Sequence, residues 1–196
     1  LAWQPDLFTD LFPVAVEFVD ADDDDLLDIL TANQVGKSLS LFKHASPTTF
    51  VRTDIDIPAH PTDLVLGDIN GDGKADAVAI SSIDQTLVGL LAGNDTFAIG
   101  LVLPLGFSPS GVAAGDVSGD GKLDLVVSDS DGDRLIVLQG RGDGTFLAPF
   151  VIPAIHAPGA VGIADLNADS RQDIVVAQPE NDHVALVFNR GNGRFT

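Results

Sequence analysis

The chain has 196 residues, with 29 acidic side chains against 10 basic ones and a formal net charge of −19. This charge argues against a nucleic-acid binder, which needs a positive face for phosphates, and a hydrophobic fraction of 45% argues against a disordered acidic tail. The lack of cysteine excludes disulfide scaffolds, zinc–thiolate sites and thiol catalysis, and no apolar run approaches the roughly 18 residues of a membrane-spanning helix.

An internal repeat organises the sequence. Asp-rich nonapeptides begin at Asp20, Asp68, Asp116 and Asp165, with spacings of 48, 48 and 49 residues. A phenylalanine that follows a polar turn recurs in step, at Phe50, Phe97, Phe146 and Phe195. Two markers that stay in phase over four units predict a tandem array.

Each unit reads as four short strands in chain order. An apolar run (VAVEFV, DLVLG, GVAAG, AVGIA) precedes the Asp loop, and a second (LLDILTA, ADAVAIS, LDLVVSD, QDIVVAQ) follows it. A third run comes after a polar turn (SLSLFKH, TLVGLLAG, RLIVLQG, HVALVFN), and the phenylalanine opens a fourth (FVRTDIDI, FAIGLVL, FLAPFVI). Such runs between turn signals indicate antiparallel sheet, and near-continuous apolarity in the first two predicts sheets covered on both faces. The predicted fold is all-β: four tandem four-stranded antiparallel blades of about 48 residues, in a β-propeller or propeller-like array.

The phase of the repeat suggests boundaries. We expect blades at 13–56, 57–103, 104–152 and 153–196, the last without its outer strand. Residues 1–12 would supply a strand that completes this last blade or the last blade of a neighbouring chain, and a fragment of a longer array would look the same. The chain starts without methionine or a basic, apolar leader, so we expect a processed or excised form.

The Asp loops predict cation sites. In each nonapeptide, oxygen-bearing side chains recur at positions 1, 3, 5 and 9, and glycines at positions 4 and 6 of the second and third loops permit a tight bend. Such a loop suits Ca²⁺, which takes six to eight oxygen ligands, with a backbone carbonyl near position 7 and water completing the shell. The candidate ligands are Asp20, Asp22, Asp24 and Asp28 in loop one (20–28), Asp68, Asn70, Asp72 and Asp76 in loop two (68–76), Asp116, Ser118, Asp120 and Asp124 in loop three (116–124), and Asp165, Asn167, Asp169 and Asp173 in loop four (165–173).

Rival calcium motifs fail on particular residues. An EF-hand needs glutamate at position 12, where this chain has Thr31, Ala79, Val127 and Val176. The D-x-[DNS]-x-D-x-x-x-D loop, the apolar strand after it and the G-(N/D)-G-x-F turn resemble the FG-GAP/VCBS repeat of integrin-α-like β-propellers, over all four units. The resemblance implies a mainly structural Ca²⁺ in the first hairpin of each blade, up to four ions, on a secreted or cell-surface protein. Those propellers commonly have seven blades, so four repeats are a departure that leaves ring closure open.

The four loops are expected to differ in how well they bind calcium. Loops two and three have glycine at positions 4 and 6, loop one has Asp23 and Asp25, and loop four has Ala168 and Ser170. Because aspartate tolerates the left-handed conformation better than alanine or serine, we expect loops two and three to bind best and loop four least well.

No catalytic motif is present, so we expect a binding, adhesion or scaffold module rather than an enzyme. The resemblance implies that its partner, a protein or glycan, binds on the face opposite the calcium loops, where the inter-blade connections carrying His60 and His156 lie. Neither nucleic acid nor a membrane span is expected. Two alternatives remain open: a self-assembling protomer that builds a ring or fibre by strand exchange at its termini, and a carbohydrate-binding or carbohydrate-active propeller.

Overall fold

The computed structural model describes residues 6–46, 49–153, 155–191 and 193–196, and these ranges form β-strands, turns and one short 3₁₀ segment at Pro179–Asn181. The predicted all-β class is confirmed. None of the described helical segments is long and apolar enough to cross a membrane. The strands are β1 (Pro13–Val19), β2 (Asp28–Asn33), β3 (Ser38–Ser46), β4 (Thr49–Asp56), β5 (Asp63–Gly67), β6 (Asp76–Ser81), β7 (Thr86–Ala92), β8 (Phe97–Pro104), β9 (Pro109–Gly115), β10 (Asp124–Asp129), β11 (Arg134–Leu138), β12 (Phe150–Pro153), β13 (Val161–Ala164), β14 (Asp173–Gln178) and β15 (His183–Val187).

Consecutive strands pair into four antiparallel sheets. Sheet 1 contains β1 to β4, sheet 2 contains β5 to β8, and sheet 3 contains β9 to β12. Sheet 4 contains β13 to β15, three strands within the described residues. Each sheet is an up-and-down meander, because consecutive strands pair antiparallel and lie side by side in chain order.

The sheets stack in chain order. The first strands lie side by side, with β1 next to β5, β5 next to β9, and β9 next to β13. Three apolar cores fill the spaces between sheets 1 and 2, 2 and 3, and 3 and 4. Alternation along a strand sends successive side chains to opposite cores. Leu125 and Val127 of β10 therefore pack toward sheet 2, while Val126 packs toward sheet 4.

The outer strand of sheet 3 is shorter than its sequence predicts. The expected strand opens at Phe146, but β12 begins only at Phe150, and Phe146 makes a single bridge to Gly140. Pro149 lies between the two and has no backbone N–H to donate to a ladder, so pairing breaks there and resumes at the next residue.

The N-terminal segment (residues 6–12) lies against sheet 1 without forming a strand. The Gln34 amide donates to the Phe12 carbonyl at 2.9 Å. The Ser38 hydroxyl donates to the Asp10 carboxylate at 2.8 Å. Residues 1–5 of the predicted edge strand lie outside the described residues, and completion of a blade by this segment stays a prediction.

Candidate metal centres

The four Asp loops occupy the same place in every sheet, between its first and second strands. Each loop is closed by a ladder pair that joins the residue before position 1 to the aspartate at position 9: Val19 with Asp28, Gly67 with Asp76, Gly115 with Asp124, and Ala164 with Asp173. The antiparallel register therefore places all sixteen predicted ligands at one end of the stacked sheets.

The aspartate at position 1 folds its own loop. Asp68 accepts from the backbone N–H groups of Gly71, Asp72 and Gly73 at 2.6, 3.2 and 2.8 Å. Loop three repeats these contacts around Asp116 with the same three distances. Short side chains that accept from the following amides are typical of aspartate in turns, so each loop is preformed by its own carboxylate.

The aspartate at position 9 ties the loop to the end of the third strand. Asp124 is fully buried and accepts from the Ser118 amide at 2.8 Å and from the Gly140 amide at 2.9 Å. Its three equivalents are also fully buried and make the same pair of contacts, always to one loop amide and to the amide sixteen residues further on: Asp28, Asp76 and Asp173. Burial raises the pKa of Asp76 and of Asp124, partly offset by these amides.

Positions 4 and 6 are left-handed in all four loops. The glycines of loops two and three adopt this conformation without cost, and the corresponding φ angles in loop four are 60° at Ala168 and 67° at Ser170. A non-glycine residue at such a φ costs about 1–2 kcal/mol, so the fold imposes strain on loop four that loops two and three avoid.

Loop one gathers carboxylates most closely. Asp20, Asp22 and Asp28 each offer an oxygen, and these oxygens lie within 4.8 Å of one another, the one such three-residue acidic group in the described part of the chain. The Oδ1 atom of Asp22 is buried without a hydrogen-bond partner, and its Oδ2 atom lies 3.8 Å from the Lys43 ammonium. Burial, then the charges of Asp24 and Asp28, raise the pKa of Asp22. A buried, unpartnered carboxylate oxygen among acidic neighbours fits a cation ligand.

In loops two and three, the side chain at position 3 forms hydrogen bonds within its own loop. Asn70 donates from its amide to the Asp72 carboxylate at 2.9 Å and accepts from the Asp72 backbone at 2.9 Å. The Asn70 hydrogen bond and the Lys74 amide lower the pKa of Asp72. Ser118 donates to Asp116 at 3.3 Å. The sequence ranks these loops first on backbone freedom, whereas the structure brings three carboxylates together in loop one; the ranking stays a prediction.

Loop four supplies a cation from its own sequence. The Arg171 guanidinium at position 7 pairs with the Asp169 carboxylate and donates through Nε to the Asn189 carbonyl at 2.8 Å. Asp169 is a predicted ligand, so a metal ion would compete with this arginine. Loop three has a looser equivalent, with Lys122 at position 7 lying 3.9 Å from Asp120, so the closer arginine pair adds to backbone strain as a reason for weaker binding in loop four.

Neighbouring loops are joined across the stack. The Lys74 ammonium of loop two donates to Asp23 of loop one at 2.9 Å, which raises the pKa of Lys74. Further along, the Asn189 side-chain amide donates to the Val117 carbonyl of loop three at 2.8 Å. The loop ends of adjacent sheets are thus held in register by direct contacts.

The opposite end of the stack holds two histidine–aspartate pairs, which the sequence alone does not reveal. His60 lies 2.9 Å from Asp84 through Nδ1, and its backbone N–H donates to the same carboxylate at 2.6 Å. His156 and Asp133 repeat the pair at 3.0 Å. The backbone amide of His60, with its side chain and Ser81, lowers the pKa of Asp84 to about 2. A signal was present in the sequence, because both histidines lie in inter-blade connections at similar positions, eight residues before Asp68 and nine before Asp165.

Comparisons with known proteins agree with the repeat. Residues 116–176 match the model of the FG-GAP-like repeat. A comparison with curated proteins gives no match. Solved structures with a similar fold include an Agrocybe aegerita lectin that recognises non-reducing terminal N-acetylglucosamine, at 20% identity and a TM-score of 0.63, covering 91% of this chain and 49% of that one.

Two further structures share the fold. BBS1N, solved in complex with ARL6DN, matches at 13% identity and a TM-score of 0.64, over 96% of this chain and 56% of that one. The Vibrio cholerae biofilm matrix protein Bap1 matches at 20% identity and a TM-score of 0.55, over 92% of this chain and 27% of that one. The chain thus spans about half the length of the first two. Residues 116–176 are therefore similar to an FG-GAP-like repeat, within an all-β chain whose fold is similar to that of propeller-like proteins.

Proposed function

We propose that this chain is a calcium-stabilised β-propeller module that acts outside the cell as a binding, adhesion or scaffold unit and not as an enzyme. The observation that carries the calcium part is the Asp22 carboxylate of loop one, whose Oδ1 atom is buried with no partner beside Asp20 and Asp28. Recurrence of the same loop in every sheet favours a structural role, because a catalytic site is usually built once.

The hydrogen bonds of loop one indicate that its carboxylates have different roles. Asp20 accepts from the amides of Asp24 and Asp25 at 3.1 and 3.0 Å, and Asp28 is held by the Ala21 and His44 amides. Asp22 has no such donor on Oδ1 and has only Lys43 near Oδ2. Asp20 and Asp28 therefore fold the loop and present their remaining lone pairs, while Asp22 is free to bind the ion.

Calcium bound to the folded loop alone would stabilise the fold. An excess of about 100-fold over the dissociation constant contributes about 2.7 kcal/mol per site, which is large against the stability of a typical domain. Extracellular fluids hold calcium at concentrations that fill even modest sites, with dissociation constants near 10⁻⁴–10⁻³ M in extracellular modules. Sites of that affinity would be filled outside the cell, where we propose that the chain acts.

The test is calcium titration by calorimetry, paired with thermal unfolding in calcium and in excess chelator, on the wild-type chain and on Asp22→Asn. We expect the wild type to bind calcium and to unfold at a higher temperature with it. Asp22→Asn should lose the loop-one site while unfolding in chelator at the wild-type temperature or above, because it removes a carboxylate that no donor satisfies.

The matched control is Asp56→Asn, an exposed aspartate of β4 outside every loop. It should leave both calcium binding and unfolding unchanged. Equal unfolding curves for the wild type in calcium and in chelator would refute the calcium proposal.

Glycan binding is a second candidate, supported by a hydroxyl-rich recess at the end opposite the Asp loops. The recess has a volume of about 280 Å³ and is lined mainly by Thr62, Ser82, Ser108, Ser110, Ser130 and Asp131. Hydroxyl and carboxylate groups in a shallow recess suit the polyol edge of a sugar, and a lectin is among the structures that share the fold. A glycan array probed with the calcium-loaded chain tests this candidate, and uniform absence of signal would remove it.

A further inference from the structure

Loop one is the most acidic of the four Asp loops and has no cation of its own. Its nine residues contain six aspartates. The other loops carry a cation at position 7, namely Lys74, Lys122 and Arg171, whereas loop one has Leu26 there. Because closely packed carboxylates repel one another unless a positive charge neutralises them, loop one depends on charges from elsewhere in the chain.

Lys43 supplies one of these charges directly to a predicted ligand. Its ammonium lies 3.8 Å from the Oδ2 atom of Asp22, and the two side chains are only 24% and 23% exposed, so solvent and salt screen this pair incompletely. Lys74, the other cation beside loop one, pairs with Asp23, which is not among the predicted ligands. Within the described residues, Lys43 is therefore the cation that pairs with a predicted ligand of loop one.

The cation at this strand position is specific to sheet 1. Lys43 lies in β3, fifteen residues after Asp28 at position 9 of loop one. Its repeat equivalents in sheets 2, 3 and 4 are the uncharged Leu91, Gln139 and Phe188. The one loop that lacks a cation at position 7 is thus the loop whose own sheet provides one from its third strand. This pattern indicates that Lys43 is the counter-ion of loop one.

Lys43 also connects loop one to the neighbouring sheet. Its ammonium lies 3.9 Å from the Oδ2 atom of Asp95, in the turn between β7 and β8 of sheet 2. Both of its carboxylate distances are longer than a hydrogen bond, so the ammonium is shared between Asp22 and Asp95 and is fixed to neither. A cation shared in this way can move toward Asp95 when Asp22 takes another partner.

We infer that Lys43 is a built-in competitor for calcium at loop one, which neutralises Asp22 when no ion is bound and shifts to Asp95 when the ion binds. The inference rests on the proposed calcium function and concerns the regulation of that same site. Two unit charges about 4 Å apart change an equilibrium constant about fivefold even in water, and a divalent ion beside the ammonium is repelled more strongly. Lys43 therefore weakens calcium binding at loop one and couples it to the contact between sheets 1 and 2.

The test is calcium titration by calorimetry, with thermal unfolding in calcium and in chelator, on the wild type, Lys43→Met and Lys43→Arg. We expect Lys43→Met to lower the dissociation constant of loop one by about 5–10-fold, and Lys43→Arg to keep the wild-type value because it keeps the charge. In chelator, Lys43→Met should unfold at a lower temperature than the wild type, because Asp22 and Asp95 lose their shared counter-ion. Calcium should then raise the unfolding temperature of this variant by more than that of the wild type.

Two further variants separate direct competition from a general effect of charge. Lys37→Met removes a positive charge from an exposed turn at the opposite end of sheet 1 and should behave as the wild type. In an Asp22→Asn background, Lys43→Met should leave the calcium affinity of the remaining sites unchanged. Tighter binding at those sites would overturn the inference, because it would show that Lys43 acts through the net charge and not through Asp22.

The outcomes distinguish failure of this inference from failure of the calcium proposal. Calcium binding by the wild type that Lys43→Met leaves unchanged would overturn the inference alone. Weaker binding by Lys43→Met would also overturn it, because Lys43 would then position Asp22 for the ion. Absence of calcium binding in both proteins would overturn the calcium proposal and this inference with it. Binding by Lys43→Met alone would support the competition and overturn calcium stabilisation of the wild-type chain.

Discussion

Removal of the Asp124 carboxylate should destabilise the fold even when no calcium is bound. Asp124 opens the fully buried strand β10 and accepts from the Ser118 and Gly140 amides at 2.8 and 2.9 Å. Asp124→Ala leaves both amides buried and without a partner. A hydrogen bond to a charged group contributes about 1.5–3 kcal/mol, so two of them, partly offset by release of a buried charge, give an expected loss of about 3–5 kcal/mol.

The matched control is Asp120→Ala in the same loop. Asp120 is exposed and accepts from the Lys122 amide at 3.0 Å, an amide that water can reach once the carboxylate is gone. Its loss should cost less than about 1 kcal/mol. Both residues are predicted calcium ligands, so a metal effect alone would not separate them in chelator.

The assay is urea unfolding in excess chelator, with the free energy of unfolding compared at unchanged denaturant dependence. Equal costs for Asp124→Ala and Asp120→Ala would refute the reasoning, because they would show that the two buried amides find other partners. A cost confined to calcium-containing buffer would make position 9 a metal ligand and nothing more.

Two further predictions concern backbone strain and pH. Ala168→Gly should raise the free energy of unfolding by about 0.5–1 kcal/mol, since relief of a left-handed φ outweighs the added freedom of the unfolded chain. The control Ala98→Gly, at an exposed position in β8, should lower the free energy of unfolding. If urea unfolding shows a loss of stability for both variants, the strain at Ala168 is contradicted. Asp84 has a pKa of about 2, below the ordinary 3.8, so the stability it gives is complete above about pH 4 and is lost as the pH falls toward 2. The free energy of unfolding of the wild type should exceed that of Asp84→Asn by about 1 kcal/mol at pH 6, a value reduced for partial exposure and screening, and the difference should vanish near pH 2. A difference that stays constant with pH would show that the contacts to His60 do not depend on charge.

The sequence predicts the architecture well because its markers are local. A nonapeptide and a phenylalanine that recur every 48 or 49 residues define the repeat, and antiparallel hairpins need only adjacent runs and turn residues. The late start of β12 at Phe150 could also be read from Pro149, whose missing N–H limits pairing.

The structural role of the aspartate at position 9 is harder to predict from the sequence. The spacing of loop oxygens treats Asp124 as one more ligand, whereas the structure gives both of its oxygens to backbone amides. One partner, Gly140, lies sixteen residues away, just beyond the end of β11, where no loop pattern can reveal it. A signal did exist: an aspartate that opens the apolar run DLVVSD must be satisfied if the strand is buried.

The solvent exposure of the outer face of sheet 4 cannot be predicted from the sequence for a related reason. Val184 and Leu186 follow the same alternation as Leu135 and Val137, so their sequence indicates a buried strand. Whether a face is covered depends on the neighbouring sheet and not on the residues that form it. Tertiary context alone separates an exposed sheet 4 from a buried sheet 3.

The excess of aspartate over glutamate can be explained without metal binding. The chain has 27 aspartates and two glutamates, and the structure shows loop carboxylates accepting from amides two to five residues ahead, a reach that suits the shorter side chain. Asp68 and Asp116 would be retained for turn formation even if no ion were bound. Aspartate content is therefore weak support for calcium. The stronger support is Asp22, whose Oδ1 atom is buried without a donor and which, alone among the predicted carboxylate ligands in the described residues, accepts from no loop amide.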